Sequence, residues 1–137
     1  MMDRPAFDAL CAGLPATFMV QQWGGSNVWK VGSTDKNKVF AMSTFWVGKD
    51  DETADNGQHA LVFKVAPMSF EMLTQETGII QAPYMPKGGW VRTVEACPLS
   101  DDDLAAYIGE AHRMMAAGLT KKMQAELGLT ALVASKP

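Results

Sequence analysis

The chain has 137 residues, which is enough for one compact domain with a real core and too few for a second domain of ordinary size. Its composition, 47% hydrophobic and 20% charged, is that of an ordinary globular protein, and no apolar run approaches the roughly 20 residues that cross a bilayer. A net charge of −3 and a pI near 5.3 exclude a uniformly basic domain, although a local basic face remains compatible with them.

The first predicted element is a helix in "RPAFDALCAGLP". Pro5 suits the first helical turn, because the N–H group that proline lacks has no partner there. Phe7, Leu10 and Cys11 recur at helical spacing and predict the buried side. Asp3 and Asp8 are unlike the features of a secretory signal, so we expect a cytoplasmic protein.

Four strands are predicted next, because β-branched and aromatic residues mix with polar ones as in half-buried strands. Their sequences are "TFMVQQW", "NVWKVG", "KVFAMSTFWV" and "HALVFKV". The first three are separated by short turns, which predicts an antiparallel meander. The connection "GKDDETADNGQ" is predicted to be an acidic, solvated hairpin tip with a tight turn at Asn56-Gly57.

A middle helix is predicted in "MSFEMLTQETG", with Pro67 near its start and Gly78 placed to end it. The segment "IIQAPYMP" is expected to be extended, since a residue before proline avoids helical geometry. The sequence "GWVRTVEA" predicts the last strand, in which Trp90 is expected to be a core residue.

One long final helix is predicted from Ser100 through "SDDDLAAYIGEAHRMMAAGLTKKMQAEL". Ser100 and Asp103 have the spacing of a capping box. The tail, residues 129–137, is predicted to be frayed. The order α-β-β-β-β-α-β-α therefore predicts a single α+β domain over residues 1–137, with a mainly antiparallel sheet packed against helices.

No catalytic or metal-binding motif is evident. Cys11 and Cys97 lack CxxC spacing and are expected to be free thiols, and His59 and His112 are the two histidines. We therefore expect no enzyme activity, no cofactor and no metal. Tyr84, Trp90 and His112 are the candidate residues of a pocket. A deep pocket that gathered Tyr84 and His112 with Arg92 would instead indicate an enzyme.

Two predicted turns carry cations: "WKVGSTDKNK" contains Lys30, Lys36 and Lys38, and "YMPKGGWVR" contains Lys87 and Arg92. Cations on hairpin tips commonly face solvent or protect a sheet edge. The alternative hypothesis is a pair of wings whose cations contact phosphates while an aromatic ring stacks or wedges. That hypothesis needs Lys87 and Arg92 at the surface, where changing both would leave folding intact.

The order of several segments resembles the MmcQ/YjbR family. These segments are "LCAGLP", "WGGSNVWKVG…KVFAM", "LVFKVAP", "GIIQAPYMPKGGWVRT" and the terminal helix, which together cover roughly residues 6 to 128. The resemblance implies a compact α+β fold similar to secretion chaperones and frataxin-like domains. It also implies a DNA-binding protein with a double-wing motif and without agreed catalytic residues.

The agreement with the family pattern is partial. The "APY…W" stretch at Ala82, Pro83, Tyr84 and Trp90 matches, as does the pair Lys121 and Lys122. A Ser-Tyr pair usual in the last helix is replaced by Ala111 and His112, and a Lys and a Pro by Gly118 and Thr120. The loop after "FAM" is longer and more acidic than usual in the family.

Two hypotheses about function follow. The first is a DNA-binding or regulatory protein that uses the cations Lys30, Lys36, Lys38, Lys87, Arg92, Lys121 and Lys122. The second is a protein-interaction or chaperone-like module, which the acidic pI, the chaperone-like fold and the ten methionines favour. The expected partners are thus DNA or a protein and not a membrane, and the expected state is a monomer or a weak homodimer.

Overall fold

The computed structural model describes residues 1–46 and 57–135. Within these ranges the strands are β1 Thr17–Gln22, β2 Ser26–Gly32, β3 Asn37–Thr44, β4 Ala60–Lys64, β5 Ile79–Gln81 and β6 Trp90–Val94. The helices are α1 Arg4–Ala12, α2 Pro67–Leu73, α3 Asp101–Ala117, α4 Lys121–Glu126 and α5 Thr130–Ala134.

The strands form one sheet in the order β1-β2-β3-β4-β6-β5, with every neighbouring pair antiparallel. The predicted meander over the first four strands and the α+β class are confirmed. The segment before Ala82 is more than extended chain, because Ile79–Gln81 pairs with β6 as an edge strand.

The two faces of the sheet are unequal. One face packs against α1 and α3 in the main core, where Phe7, Phe40, Leu61, Phe63 and Ile108 are fully buried. The opposite face, here called the open face, carries a smaller apolar cluster of Val28, Met42, Val62, Ala82 and Trp90. Strand alternation explains the division, since neighbours along a strand point to opposite faces.

The predicted capping box at the start of α3 is confirmed, because Ser100 and Asp103 exchange side-chain to backbone hydrogen bonds. The prediction of one long final helix is wrong. The chain stops being helical after Ala117 and starts again at Lys121, where the Thr120 side chain accepts a bond from Met123 N–H. Buried Gln124 donates to the Leu119 and Ala117 carbonyls, which satisfies groups that the break leaves unpaired.

Two other predicted boundaries differ from the structure. The middle helix begins at Pro67 as expected but ends at Leu73, with Thr74 as its cap, so Gly78 does not terminate it. The tail was expected to be frayed, yet Leu129 is fully buried in the main core and α5 follows it. Burial of one leucine side chain is worth about 1.5–3 kcal/mol, which explains why this segment is ordered.

The predicted acidic tip, residues 48–58, lies mostly outside the described residues. The connection that contains it leaves β3 at Thr44 and returns to β4 at Ala60, which are paired across the sheet. Among the helices of the described part of the chain, none is both long and apolar enough to span a membrane.

Candidate functional site

The β2–β3 turn presents two of the predicted cations. Ser33 closes this turn, because its N–H donates to the Lys36 carbonyl over 2.9 Å and its Oγ accepts from the Lys36 N–H over 3.0 Å. Lys36 is exposed and Lys38 is half-buried. The Ser33 hydrogen bonds therefore hold the turn in a defined shape. They fix the backbone from which the side chains of Lys36 and Lys38 extend.

The same turn lies against the break between α3 and α4. A shallow cleft of about 330 Å³ is lined by Lys36 and Lys38 on one side and by Gly118, Thr120 and Met123 on the other. The approach is close, since a Cβ atom on Gly118 would lie 2.9 Å from Lys38 Cε. The break in the final helix thus brings the start of α4 next to the β2–β3 turn. Lys121 and Lys122, both exposed, are the first two residues of α4.

Three further lysines lie toward this end of the sheet. Antiparallel pairing puts the end of β2, the start of β3, the end of β4 and the start of β6 at one end. Lys30 and Lys64 lie there on the open face, and Lys64 Nζ is 5.8 Å from the centroid of the Trp90 ring. Lys87 is exposed in the β5–β6 connection, immediately before Gly88.

We call this set the basic end: Lys30, Lys36, Lys38, Lys64, Lys87, Lys121 and Lys122. Every member except Lys64 was a candidate predicted from the sequence. The signal for Lys64 was its place in "LVFKV", where alternation puts it on the same face as Val62. Asp35 is an acidic residue in the same cleft and partly offsets the positive charge.

Arg92 does not belong to the basic end, and its expected exposure is wrong. It is fully buried, pairs with Val62 and Ile80 in neighbouring strands, and donates from Nη2 to the Gly78 carbonyl over 3.2 Å. The β5–β6 connection folds back over the open face and leaves β6 in the sheet interior, so the side chain has no route to solvent there. Arg92 is therefore a structural residue and not a candidate phosphate contact.

A cavity of about 570 Å³, here called the aromatic cavity, opens on the open face of the sheet. Its described lining residues are Trp23, Ser26, Met42, Thr44, Trp46, Val62, Pro83, Tyr84 and Met85. The rings of Trp46 and Tyr84 stack with centroids 4.5 Å apart and planes 30° apart. The exposed fractions are 66% for Trp23, 38% for Trp46 and 88% for Tyr84, so three large rings stand at its rim.

Two of the three rim residues have unusual backbones. Trp23 has φ of 50° and Tyr84 has φ of 63°, in the left-handed region that favours glycine. The Met85 N–H donates to the Ala82 carbonyl over 3.3 Å, and Pro83 precedes Tyr84. This is the pattern of a type II turn, in which glycine or asparagine usually occupies the position of Tyr84.

Two hydroxyls of the aromatic cavity bond to each other, and its three aromatic residues add a phenol hydroxyl and two indole N–H groups. Ser26 Oγ donates to Thr44 Oγ1 over 3.0 Å, and Thr44 Oγ1 also accepts from the Trp46 N–H over 3.2 Å. The described lining contains no charged side chain. The cavity therefore suits an uncharged, flat group that can contact aromatic and methionine side chains.

The pocket predicted from Tyr84, Trp90 and His112 is not formed. Tyr84 stands at the rim of the aromatic cavity, and Trp90 is 5% exposed in the cluster beneath the open face, which confirms its expected burial. His112 lies on the opposite side of the sheet, where its Nε2 is 2.7 Å from the Pro15 carbonyl and its ring packs edge-on against Phe40. Burial lowers the pKa of His112.

The other histidine is within hydrogen-bond distance of a serine. His59 Nε2 and Ser43 Oγ are 2.8 Å apart, and Arg4 Nε donates to the same Oγ over 2.9 Å. Burial, with a smaller contribution from Arg4, lowers the pKa of His59. Ser43 is fully buried, so this arrangement joins α1 to β3 and β4 and does not present a nucleophile to a substrate.

Cys11 and Cys97 are free thiols, as expected, and burial raises the pKa of both. Over residues 1–46 and 57–135, histidine, cysteine and acidic side chains form no group that could hold a metal ion.

The arrangement defines a class of protein: a small α+β domain with one antiparallel sheet, whose open face joins an aromatic cavity to a lysine-bearing end. The chain belongs to the YjbR family, because the family model described as YjbR matches residues 12–114. The resemblance predicted from the sequence is thus confirmed. Among curated proteins, none matches the chain.

Solved structures share the fold. A crystal structure of a Deinococcus radiodurans protein with a DUF419 domain is similar with a TM-score of 0.76 and 24% identity, covering 94% of this chain and 90% of that one. A Pseudomonas syringae protein is similar in a crystal structure with a TM-score of 0.68 and 19% identity, covering 83% of this chain and 99% of that one. A solution structure of a protein from the same organism gives 0.61 and 19% identity, covering 83% and 93%. At these identities the likeness concerns the fold alone.

Proposed function

We propose that this protein binds nucleic acid through the basic end. The observation that carries the proposal is the contact of Lys36 and Lys38 in the β2–β3 turn with the α3–α4 break. The exposed pair Lys121 and Lys122 follows that break directly, at the start of α4. Lysines that lie close together on turns and at a helix start can contact successive phosphates and release their counterions.

The β5–β6 connection supports the same proposal. It presents Lys87 toward the end of the sheet where the β2–β3 turn also lies. Two turns at one end of a sheet can straddle a phosphate backbone, as the double-wing label of the family implies. The negative net charge is compatible with this function, because it is an average over the whole chain, and four of the acidic residues fall in the short segment from Asp50 to Asp55.

The test is fluorescence anisotropy with a labelled DNA duplex over a range of salt concentrations. We expect a Kd in the range of about 1–100 µM at physiological salt, which is typical of non-specific binding, and tighter binding at low salt. Changing Lys36, Lys38, Lys121 and Lys122 together to alanine should lower the magnitude of the slope of log K against log salt by about 3.6, since each of the four phosphate contacts contributes about 0.9.

The matched control is Arg113→Gln, because Arg113 is a cation paired with Glu110 on α3 and lies outside the basic end. This variant should retain the salt slope of the unmodified protein. Absence of binding at about 100 µM protein in low salt would contradict the proposal.

A protein-interaction role is the second candidate function. The observation in its favour is the exposure of Met68 and Met72, 77% and 58%, at successive turns of α2. Exposed methionines adapt to apolar partner surfaces. If α2 joins two copies of this chain, light scattering will show a dimer that Met68→Lys with Met72→Lys converts to a monomer; a monomer at all concentrations argues against this role.

A further inference from the structure

Burial in the core does not explain the exposed rings of the aromatic cavity, although Tyr84 also stacks on Trp46. Trp23 and Tyr84 both adopt left-handed backbone conformations, which cost about 1–2 kcal/mol for a residue with a side chain. Both rings are more than half exposed, so burial returns little of that cost. Strained residues of this kind are concentrated at ligand-binding positions.

The chemistry of the lining restricts the ligand. Three rings and two methionines favour a flat group that stacks, and the described lining offers it uncharged hydroxyl and indole N–H groups as polar partners. An ionised group would find no opposite charge among these residues. The cavity volume of about 570 Å³ is in the range of sites that hold one small molecule or one ring system.

The charges beside the cavity restrict the ligand further. Lys64 is two residues after Val62 in β4, so both side chains lie on the open face. Lys30 has the same relation to Val28 in β2. Lys87 is three residues from Tyr84 in the same connection. A flat uncharged ring whose attached negative group extends toward the basic end therefore fits this face.

We propose that the aromatic cavity takes one unpaired nucleobase of a single strand whose phosphates lie on the basic end. This inference rests on the proposed function and makes it more specific: single strands bind more tightly than duplexes, in which the bases are already stacked. Base stacking on aromatic side chains, combined with lysines along the backbone, is a general mode of single-strand recognition.

The test compares three labelled ligands of equal length by anisotropy: a thymine single strand, an abasic single strand with the same phosphates, and a duplex. We expect the thymine strand to bind roughly 5- to 150-fold more tightly than the abasic strand, the range that stacking one base contributes. The affinity of the duplex, divided by its number of phosphates, should equal that of the abasic strand or be lower.

Tyr84→Gly and Trp23→Gly are the informative variants, because each removes a ring and also relieves the backbone conformation, so the fold is retained. Each should reduce the preference for thymine over abasic strand at least about threefold, toward equality, while binding of the abasic strand stays unchanged. Met72→Ala, which removes an exposed apolar side chain on α2, is the matched control and should leave the preference intact.

The outcomes are distinct. If thymine and abasic strands bind equally to the unmodified protein, the nucleobase inference is overturned while nucleic-acid binding stands. If the preference exists but survives both glycine variants, the cavity is not the base site and the inference is overturned. If neither strand nor duplex binds at low salt, the proposed function fails and the inference fails with it.

Discussion

Trp46 and Tyr84 stack across the open face, with their ring centroids 4.5 Å apart. Trp46 follows β3, whereas Tyr84 belongs to the connection between β5 and β6, and β4 separates β3 from β6 in the sheet. The contact therefore joins two segments that are not neighbours in the hydrogen-bonded order. An aromatic pair of this kind contributes about 0.5–1.5 kcal/mol beyond its buried area.

The free-energy cost of the left-handed backbone conformation at Tyr84 can be measured with two substitutions. Tyr84→Ala removes the ring and keeps a side chain at a φ of 63°, whereas Tyr84→Gly removes both. We expect the glycine variant to have a free energy of unfolding about 1 kcal/mol higher than the alanine variant. Urea denaturation followed by circular dichroism gives the difference directly. Equal stabilities would show that the left-handed conformation carries no cost at this turn.

Replacing Arg92 with alanine should destabilise the fold by roughly 2–4 kcal/mol, since it removes a large buried side chain together with the hydrogen bond that it donates to the Gly78 carbonyl. Lys87→Ala is the control, because Lys87 is exposed and its loss should change stability by less than about 0.5 kcal/mol. Thermal unfolding of the two variants distinguishes them. A stable Arg92→Ala protein would contradict the structural role.

The double change at Lys87 and Arg92 is accordingly expected to disrupt folding, unlike the expectation from sequence.

Leu129→Ala tests whether the C-terminal segment is part of the core. Leu129 is fully buried, so its truncation should cost about 2–5 kcal/mol, as for other buried leucines. Ser135→Ala changes an exposed residue of the same segment and should be neutral. Denaturant midpoints for the two variants are the measurement. A frayed tail would give equal midpoints.

His112 should make stability depend on pH. Its folded-state pKa is lowered from 6.5 by burial, and a carbonyl can only accept, so Nε2 donates to Pro15 and Nδ1 is the unprotonated atom. Below pH 6.5 the unfolded chain binds a proton that the folded protein does not, so stability falls with decreasing pH and levels off below the folded pKa.

The measurement for His112 is a comparison with His112→Gln, which keeps an N–H donor but cannot titrate. The stability advantage of the histidine protein should shrink between about pH 7 and pH 5. His59, whose pKa is also lowered, contributes to the total slope in both proteins and cancels in the difference. A difference that is independent of pH would contradict the argument.

Local sequence signals predicted much of the fold. Proline at a helix start, the Ser100–Asp103 capping box and the alternation of strand residues act over a few neighbouring positions, and the structure agrees with each. The errors fall where a distant contact decides. The final helix breaks at Gly118, where the Gln124 side chain donates a hydrogen bond to the Leu119 carbonyl. Leu129 is buried in the main core.

The candidate site shows the same division. The lysines of two turns were evident in the sequence, but their association with the start of α4 depends on the helix break and on the close approach of Lys38 to Gly118. The aromatic cavity could not be predicted, because Trp23, Trp46 and Tyr84 come from three connections that are far apart in the chain. A positive φ at two of them leaves no signal in the residue type.

The sequence by itself determined which residues are cations and aromatics, where α1, the first four strands, α2, β6 and the start of α3 lie, and the family to which the chain belongs. Those features follow from local propensity, periodicity and composition. The tertiary structure alone decided that Arg92 is buried while Lys87 is exposed, and that three rings meet over one face of the sheet. Such outcomes depend on how the β5–β6 connection folds back over the open face, and that path is set by packing between residues distant in sequence.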